Sequence, residues 1–308
     1  MINNILKPLR IDHWTKNFVL VFGYIFATFY YSENFYNFNK LIYGFFIICI
    51  SASANYLINE FLDKETDKFH PIKKFRTFVK AKKSKGVFFE YIFLVFLSIS
   101  FSYFINFTFF ILNITFIFFG YLYNVRPFRL KDIVLLDVIL ESANNPLRFI
   151  MGWSILLPNY YPPLSIILFF WFAGCFLMSM KRYTEYHYLV KKIKPEKYRN
   201  SFKYYNKNNL FNLSIFYCLF SFFFFTIFII KYKIELIIIS PFAILLYMRV
   251  FAISLVQNSL VMRIEKIYRD KFFLYILLFS IFFSIILLKI DIPSLQLFEQ
   301  NNLISIFS

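Results

Sequence analysis

Nine stretches of apolar residues, each long enough to cross a lipid bilayer as a helix, constrain this chain more than any other feature of its sequence. A spanning helix needs about 17–25 predominantly apolar residues. The stretches lie near residues 17–31, 40–58, 87–105, 107–124, 133–157, 163–180, 210–230, 234–256 and 272–289. We therefore predict an all-α integral membrane protein with about nine transmembrane helices, which forms a single polytopic domain over residues 1–308. Since 59% of the residues are hydrophobic, the composition excludes a soluble globular domain.

A polar segment follows the second apolar stretch and repeats at a helical spacing. The polar residues at every fourth position are Asn55, Asn59, Asp63 and Asp67. This spacing places them on one face of an α-helix, which Pro71 is expected to end. Carboxylate and amide oxygens suit Mg²⁺, which usually binds one or two carboxylates together with substrate phosphates. The predicted metal ligands are Asn59, Glu60, Asp63 and Asp67.

Basic residues come directly after this acidic motif. Lys73, Lys74 and Arg76 are cations suited to phosphate. A solvated helix end, stabilised by charged pairs one turn apart, is the alternative interpretation of the whole segment. The regular acidic repeat at the end of a membrane helix favours a metal–phosphate site.

The loops between the apolar stretches differ sharply in positive charge. Lysine and arginine are dense in segments 1–16, 59–86 and 181–209, whereas the alternate loops contain few. Because positive loops stay in the cytoplasm, we predict a cytoplasmic N-terminus, a C-terminus outside and a multi-pass protein of the inner membrane. The net charge of +17 is assigned to orientation and lipid contact, so no nucleic-acid partner is expected.

Ionisable residues also interrupt the fifth apolar stretch. Asp137, Glu141, Asn144 and Arg148 share one helical face. Such groups at membrane depth usually line a bundle interior or a water-filled cavity. The alternative is a buried ion pair, in which Arg148 joins Asp137 or Glu141 only to hold helices together.

Two further polar clusters flank other apolar stretches. Lys181, Arg182 and Glu185 follow the sixth stretch, and Lys16 and Asn17 precede the first. Orientation alone could account for the cations. The three histidines are scattered and the three cysteines lie inside apolar runs, so neither type indicates a metal site or a disulfide.

At these residues the chain resembles the UbiA superfamily of intramembrane prenyltransferases. Asn59, Glu60, Asp63 and Asp67 occupy its first aspartate-rich motif, with Glu60 in place of an aspartate. The longer pattern resembles the decaprenyl-phosphate phosphoribosyltransferase branch. The matching residues are Trp14, Lys16, Asn17, His70, Pro71, Lys73, Arg76, Leu130, Lys131, Asp137, Val138, Leu147, Arg148, Lys181, Arg182, Tyr183, Glu185, Tyr198, Arg199, Tyr204 and Tyr205. The resemblance implies a UbiA-like fold, in which nine helices surround a central cavity.

The resemblance implies a Mg²⁺-dependent membrane transferase, and three reactions compete for this chain. The first moves a phosphoribosyl group from phosphoribosyl diphosphate to a polyprenyl phosphate of the cell envelope. The second is prenyl transfer from a polyprenyl diphosphate to an aromatic or other acceptor, and the third is lipid-phosphate transport. Family prenyltransferases carry a second aspartate-rich motif, but no aspartate occurs here between Asp137 and Asp270. One acidic motif facing a basic wall favours two anionic substrates and hence the first reaction.

The candidate site follows from this choice. Asp63 and Asp67 are the expected catalytic residues. The expected substrate-binding residues are Lys16, Asn17, Asn55, Lys73, Arg76, Tyr123, Arg148, Lys181, Arg182 and Glu185. Mg²⁺ is the expected cofactor, and the bilayer, polyprenyl phosphate and phosphoribosyl diphosphate are the expected partners.

Overall fold

The protein is a bundle of α-helices. The computed structural model describes residues 7–29, 37–80, 86–256 and 260–298, and within these ranges it contains eleven α-helices and no β-strand. Two helices have only four residues, Lys64–Asp67 and Thr77–Lys80. The longer helices are α1 (Phe18–Thr28), α2 (Phe38–Leu62), α3 (Val87–Tyr103), α4 (Phe107–Asn124), α5 (Leu136–Ser154), α6 (Leu164–Val190), α7 (Lys207–Tyr232), α8 (Ser240–Leu255) and α9 (Lys271–Leu287). The predicted all-α class is confirmed.

The longest helices have the length and apolarity of membrane spans. Among the described residues, five segments meet both criteria: Phe38–Leu62, Phe107–Asn124, Leu164–Val190, Lys207–Tyr232 and Ile234–Leu255. α3 and α9 are apolar but shorter. α1 has eleven residues, and α5 contains three charged side chains, although both coincide with predicted stretches. The helices fit a multi-pass membrane protein, and the count of nine spans stays a prediction.

Large apolar side chains cover the outside of the bundle. Phe89, Phe96 and Phe223 are each more than half exposed. Exposed aromatic surface of this extent is unfavourable in water but suits contact with lipid. The many phenylalanines of the chain therefore suit contact with the bilayer as well as packing in the interior of the bundle.

Polar side chains fix where several helices begin. Asn106 accepts a hydrogen bond from the Phe109 backbone N–H and starts α4, and Asn206 caps α7 in the same way. Asp270 accepts from the Phe273 N–H at the start of α9. Such caps satisfy backbone donors that a helix leaves unpaired in its first turn.

The acidic motif does not continue one helix as far as Pro71. α2 ends at Leu62, and Asp63 adopts φ −94° and ψ 2° before the four-residue helix Lys64–Asp67. The expectation of an unbroken helix was therefore wrong. The break occurs where the Asp63 side chain meets cations from a distant part of the chain, an interaction that local propensity does not contain.

α5 is the central helix of the bundle and packs against α1, α4 and α6. Its contact with α1 is unusually close because glycines face backbone carbonyls on both sides. A Cβ atom on Gly23 would lie 1.9 Å from the Phe149 oxygen, and one on Gly152 would lie 1.8 Å from the Leu20 oxygen. Small residues allow this approach in membrane helices, where dispersion contacts replace the hydrophobic effect between helices.

We predict that Gly152→Ala lowers the free energy of unfolding, because the added methyl group would overlap the backbone of α1. Overpacking typically costs about 1–3 kcal/mol. Thermal unfolding of the purified protein in detergent would measure the change. Gly44→Ala is the matched control, since its Cβ would meet only side-chain atoms, at 3.2 Å. Equal melting temperatures for the two variants would contradict the close α1–α5 contact.

Candidate active site

A cavity of about 810 Å³ lies between the helices and reaches the polar connecting segments at one of their ends. Among the described residues, ten lysine and arginine side chains line it, against four carboxylates. Other parts of the wall are apolar and include Phe170 of α6, Val250 of α8 and Leu277 of α9. A cavity that joins excess positive charge to an apolar wall suits a molecule with an anionic head and a hydrocarbon tail.

Asp63, at the end of α2, is held by two cations from the segment after α4. Its Oδ1 lies 2.6 Å from Lys131 Nζ and 2.8 Å from Arg129 Nη2. Burial acts to raise the pKa of Asp63, but Lys131 and Arg129 outweigh it and hold the pKa well below its usual range. Asp63 is therefore ionised at neutral pH and available to any cation that displaces these partners.

The other two carboxylates of the motif are paired as well. Arg10 Nη2 lies 3.4 Å from Glu60 Oε2, and the Thr77 backbone N–H donates to Glu60 Oε1 at 2.8 Å. Arg76 Nη1 donates to Asp67 Oδ2. Burial raises the pKa of Asp67 in spite of the Arg76 charge beside it. All three acids of the motif thus have a basic partner from outside α2.

Two of these basic partners sit on strained backbone. Arg10 has φ 49° and Arg129 has φ 36°, in the left-handed region that L-residues rarely adopt. Such conformations cost about 1–3 kcal/mol each and persist when surrounding contacts enforce them. Here the enforcing contacts include the ion pairs of these arginines with Glu60 and Asp63.

A second charged cluster is centred on Arg182 of α6. Arg182 Nε lies 3.1 Å from Asp137 Oδ2, and its Nη1 donates to Glu185 Oε2 at 2.8 Å. Its Nη2 donates to the Tyr123 hydroxyl at 3.1 Å. Arg199 Nη1 lies 3.5 Å from the same Asp137 oxygen. The alternative interpretation, a buried pair of Asp137 with Arg148, is not observed, because Arg182 and Arg199 are the partners of Asp137.

Lys73 ties the loop after α2 to this second cluster. Its Nζ lies 3.4 Å from Glu185 Oε1 and contacts the Tyr198 hydroxyl. Burial lowers the pKa of Lys73 to about 8, even though Glu185 acts in the opposite direction. Lys73 therefore carries a charge that is lost just above neutral pH.

Arg148 of α5 lines the cavity and is only 4% exposed. Its Nε donates to Asn17 Oδ1 at 2.8 Å and its Nη1 to the Asn144 carbonyl at 3.1 Å. The guanidinium carbon lies 4.9 Å from the centre of the Phe116 ring. Among the described residues, no carboxylate lies within ion-pair distance of Arg148 and no acceptor binds its Nη2. A buried guanidinium with no carboxylate within ion-pair distance among the described residues is costly in a membrane and indicates an anionic ligand.

The structure brings most of the sequence-predicted site together. Eleven of the fourteen predicted residues line the cavity: Lys16, Asn55, Asn59, Glu60, Asp63, Lys73, Arg76, Tyr123, Arg148, Lys181 and Arg182. The other three lie behind the wall. Asn17 binds Arg148, Asp67 binds Arg76, and Glu185 binds both Lys73 and Arg182. These three orient lining cations in this structure, and their functional roles stay predictions.

Sequence reasoning missed several partners of the acidic motif. Arg10, Arg129 and Lys131 are not among the predicted site residues, yet each pairs with a motif carboxylate. Arg199 also lines the cavity. Lys131 and Arg199 belong to the family pattern, so their match to that pattern was the available signal. Nothing in the spacing of Arg10 or Arg129 marks either one.

The donor set of the acidic motif fits Mg²⁺ bound together with a phosphate. Asn59 donates through Nδ2 to Asn124, which leaves its Oδ1 as an oxygen ligand beside Asp63 on the cavity wall. Within the described ranges, no group of three or more His, Cys, Asp or Glu side chains is arranged to hold a metal ion. A protein-only cage is therefore not formed. Mg²⁺ does not require such a cage, since water and substrate phosphates commonly complete its coordination.

Comparison with known proteins identifies a family and a fold. A model of the UbiA prenyltransferase family matches residues 19–277. A UbiA homolog from Archaeoglobus fulgidus, solved bound to DMAPP and Mg²⁺, superposes with a TM-score of 0.68 at 19% identity, over 91% of this chain and 98% of that chain. A solved digeranylgeranylglyceryl phosphate synthase superposes with a TM-score of 0.65 at 16% identity, over 94% and 99% of the two chains. The predicted UbiA-like fold is confirmed.

A curated relative has no described activity. The uncharacterized protein y4nM of Sinorhizobium fredii (strain NBRC 101917 / NGR234) is 30% identical over 148 residues. The match covers 48% of this chain and 28% of the relative, so the chain spans well under half of that protein's length.

We predict that Lys73→Arg extends anion binding to higher pH. As pH rises through about 8, the wild-type ammonium loses its proton, whereas a guanidinium stays charged. Above that pH, wild-type affinity for inorganic diphosphate should fall below that of the variant by about tenfold, the value of one charged contact. Calorimetric titration between about pH 7 and about pH 9.5 would measure this.

Lys74→Arg is the control for this experiment, because Lys74 is exposed and does not line the cavity. Parallel pH profiles for wild type and Lys73→Arg would contradict the prediction. They would mean that Lys73 keeps its proton over this range or that it does not contact the anion.

Proposed function

Because the chain belongs to the UbiA prenyltransferase family, we propose that it is a membrane transferase of the decaprenyl-phosphate phosphoribosyltransferase branch. It moves a 5-phosphoribosyl group from phosphoribosyl diphosphate to a polyprenyl phosphate. The bond between ribose C1 and the diphosphate oxygen breaks, and diphosphate leaves with the electron pair. A lipid phosphate oxygen forms the new bond to C1.

The excess of cations in the cavity is the observation that carries this proposal. After the ion pairs of Arg10, Arg76 and Arg182 are formed, the cavity still contains Arg148 without a carboxylate partner among the described residues. One diphosphate would bind in a first region, beside the acidic motif, and a second anion would bind in a second region, near Arg148. Each region would then contain a counter-charge for its cations. Prenyl transfer to a neutral acceptor would leave the second region without a counter-charge.

The acidic motif holds the donor diphosphate in this proposal. Asn59, Glu60, Asp63 and Asp67 supply the oxygen ligands for Mg²⁺, which when bound stabilises the charge that develops on the leaving group. The basic partners of these acids are then free to bind the diphosphate oxygens. On binding of the donor, diphosphate oxygens would replace the motif carboxylates beside Arg10, Arg76 and Arg129, so that these three cations keep a counter-charge.

The basic residues position the lipid phosphate. Lys16, Arg148 and Lys181 line the cavity together with the apolar wall, so a phosphate bound there places its prenyl chain among apolar side chains. A phosphate monoester is already an anion and needs no strong base to act as a nucleophile. For the nucleophile, the rate enhancement therefore comes from orienting the lipid phosphate towards ribose C1.

The membrane arrangement completes the proposal. Nine helices cross the inner membrane, with the N-terminus and the loops of the acidic motif in the cytoplasm, where phosphoribosyl diphosphate is available. The segment over residues 181–209, which comprises the end of α6 with Arg182 and the loop with Arg199, lies on the same side.

We predict that the purified protein, given Mg²⁺, labelled phosphoribosyl diphosphate and polyprenyl phosphate, forms a labelled lipid that organic solvent extracts. Asp63→Asn should reduce turnover by at least about a thousandfold, because it removes the charge at the metal site while keeping the shape of the side chain. Asp132→Asn is the matched control. It removes the other carboxylate partner of Arg129, 2.9 Å from Nε, but Asp132 does not line the cavity.

Two outcomes would contradict this proposal, the first its metal site and the second its reaction. Transfer at the wild-type rate in Asp63→Asn rules out the acidic motif as the metal site. Thermal unfolding would first verify that both proteins are folded. Prenyl transfer from a polyprenyl diphosphate, with no use of phosphoribosyl diphosphate, identifies the chain as an ordinary prenyltransferase of its family.

We predict opposite labelling of two introduced cysteines in intact cells. Asn200→Cys, on the exposed surface of the 181–209 loop, should resist an impermeant thiol reagent. Tyr161→Cys, in the turn between α5 and α6, should react, since Tyr161 is 91% exposed. Cys49 and Cys175 are buried and give little background. The reverse pattern would invert the orientation and remove the proposed access to a cytoplasmic donor.

A further inference from the structure

Glu141 of α5 is a carboxylate of the cavity lining that has no hydrogen-bond or ion-pair partner in the part of the chain that the structure describes. It lines the cavity, half-buried, about two turns before Arg148 on the same helix. Among the described residues, its side chain forms no hydrogen bond and no ion pair within 4 Å. In this respect it differs from the acidic motif, where Glu60, Asp63 and Asp67 all have basic partners.

Cations surround Glu141 at longer range. Lys16, Lys181, Arg182 and Arg148 all act electrostatically on its carboxylate. They come from the segment before α1, from α6 and from α5, so the carboxylate lies between several cavity walls. A phosphate at the Glu141 position would be repelled by the carboxylate, whereas phosphates on either side would meet the surrounding cations. The position therefore suits an uncharged group that connects two anions.

A second acceptor lies one turn further along α5. Asn144 Nδ2 donates to the Glu141 backbone carbonyl at 3.1 Å, which fixes the orientation of the amide. Its Oδ1 is buried and has no hydrogen-bond partner. A buried polar atom without a partner costs about 1–3 kcal/mol, and a ligand that donates a hydrogen bond removes this cost. Glu141 and Asn144 thus both require hydrogen-bond donors.

Hydrogen-bond donors distinguish the candidate ligands. A prenyl chain has none, and an ionised diphosphate has only acceptors. A ribose ring carries two adjacent hydroxyl groups, and in phosphoribosyl diphosphate it connects a 5-phosphate to a 1-diphosphate. We infer that Glu141 binds the ribose hydroxyl groups of the donor, with Asn144 as a second acceptor, and thereby selects a ribosyl donor. This inference rests on the proposed function and names the residues that recognise its sugar.

The test compares two stable sugar phosphates that differ by one hydroxyl group, ribose 5-phosphate and 2-deoxyribose 5-phosphate. Calorimetric binding to the full-length wild-type protein should favour the ribose compound by about tenfold, the value of one hydrogen bond to a charged group. In Glu141→Ala the ratio should fall to within about twofold, and in Glu141→Gln it should be intermediate, since a neutral acceptor binds about half as strongly.

Inorganic diphosphate separates recognition from simple unfolding. Removing the Glu141 carboxylate should leave diphosphate binding unchanged or make it tighter, because a repulsive charge is lost. A structural defect would weaken the binding of all three ligands. Glu90→Gln is the matched control and should behave as wild type, since Glu90 is exposed at the start of α3.

The outcomes distinguish this inference from the function on which it rests. A wild type that transfers the phosphoribosyl group but binds both sugars equally overturns the role of Glu141 and leaves the function standing. The same holds if Glu141→Ala keeps the wild-type preference for ribose. A wild type that transfers no phosphoribosyl group overturns both.

Discussion

Pairing of buried charges is the constraint on which this bundle depends. A charged group buried away from water costs several kcal/mol unless an opposite charge and hydrogen bonds compensate it. Asp63 therefore draws the segment after α4 to the end of α2 through Lys131, and Arg182 of α6 binds Asp137 of α5 and Glu185. The ion pairs that close the polar end of the bundle are thus the same groups that give the cavity its charge.

This arrangement explains how a site for charged substrates can exist without them. The acidic motif and its basic partners neutralise one another, and strained backbone at Arg10 and Arg129 is held by the same pairs. Under the proposed function, a metal ion and a diphosphate replace each partner by a charge of the same sign. Within the described residues, Arg148 and Glu141 lack such internal pairing, and under the proposed function these two side chains bind the ligand.

Local sequence patterns predicted the features that depend on neighbouring residues. The apolar stretches predicted the helices, because burial in lipid requires continuous apolar surface. The four-residue repeat placed Asn55, Asn59 and Asp63 on one cavity wall. The same reasoning extended α2 too far, since the break at Asp63 depends on cations that are 66 and 68 positions away in the sequence.

The sequence by itself determined that this protein is a helical membrane protein with one acidic motif and several basic clusters, since each of these is a periodic or compositional property of a short segment. Only the tertiary structure decided which charges neutralise one another. Helical spacing offered Arg148 as an alternative partner of Asp137, whereas packing between helices pairs Asp137 with Arg182 and Arg199. That choice left Arg148 and Glu141 facing the cavity, because charge pairing depends on distances between helices that no single segment encodes.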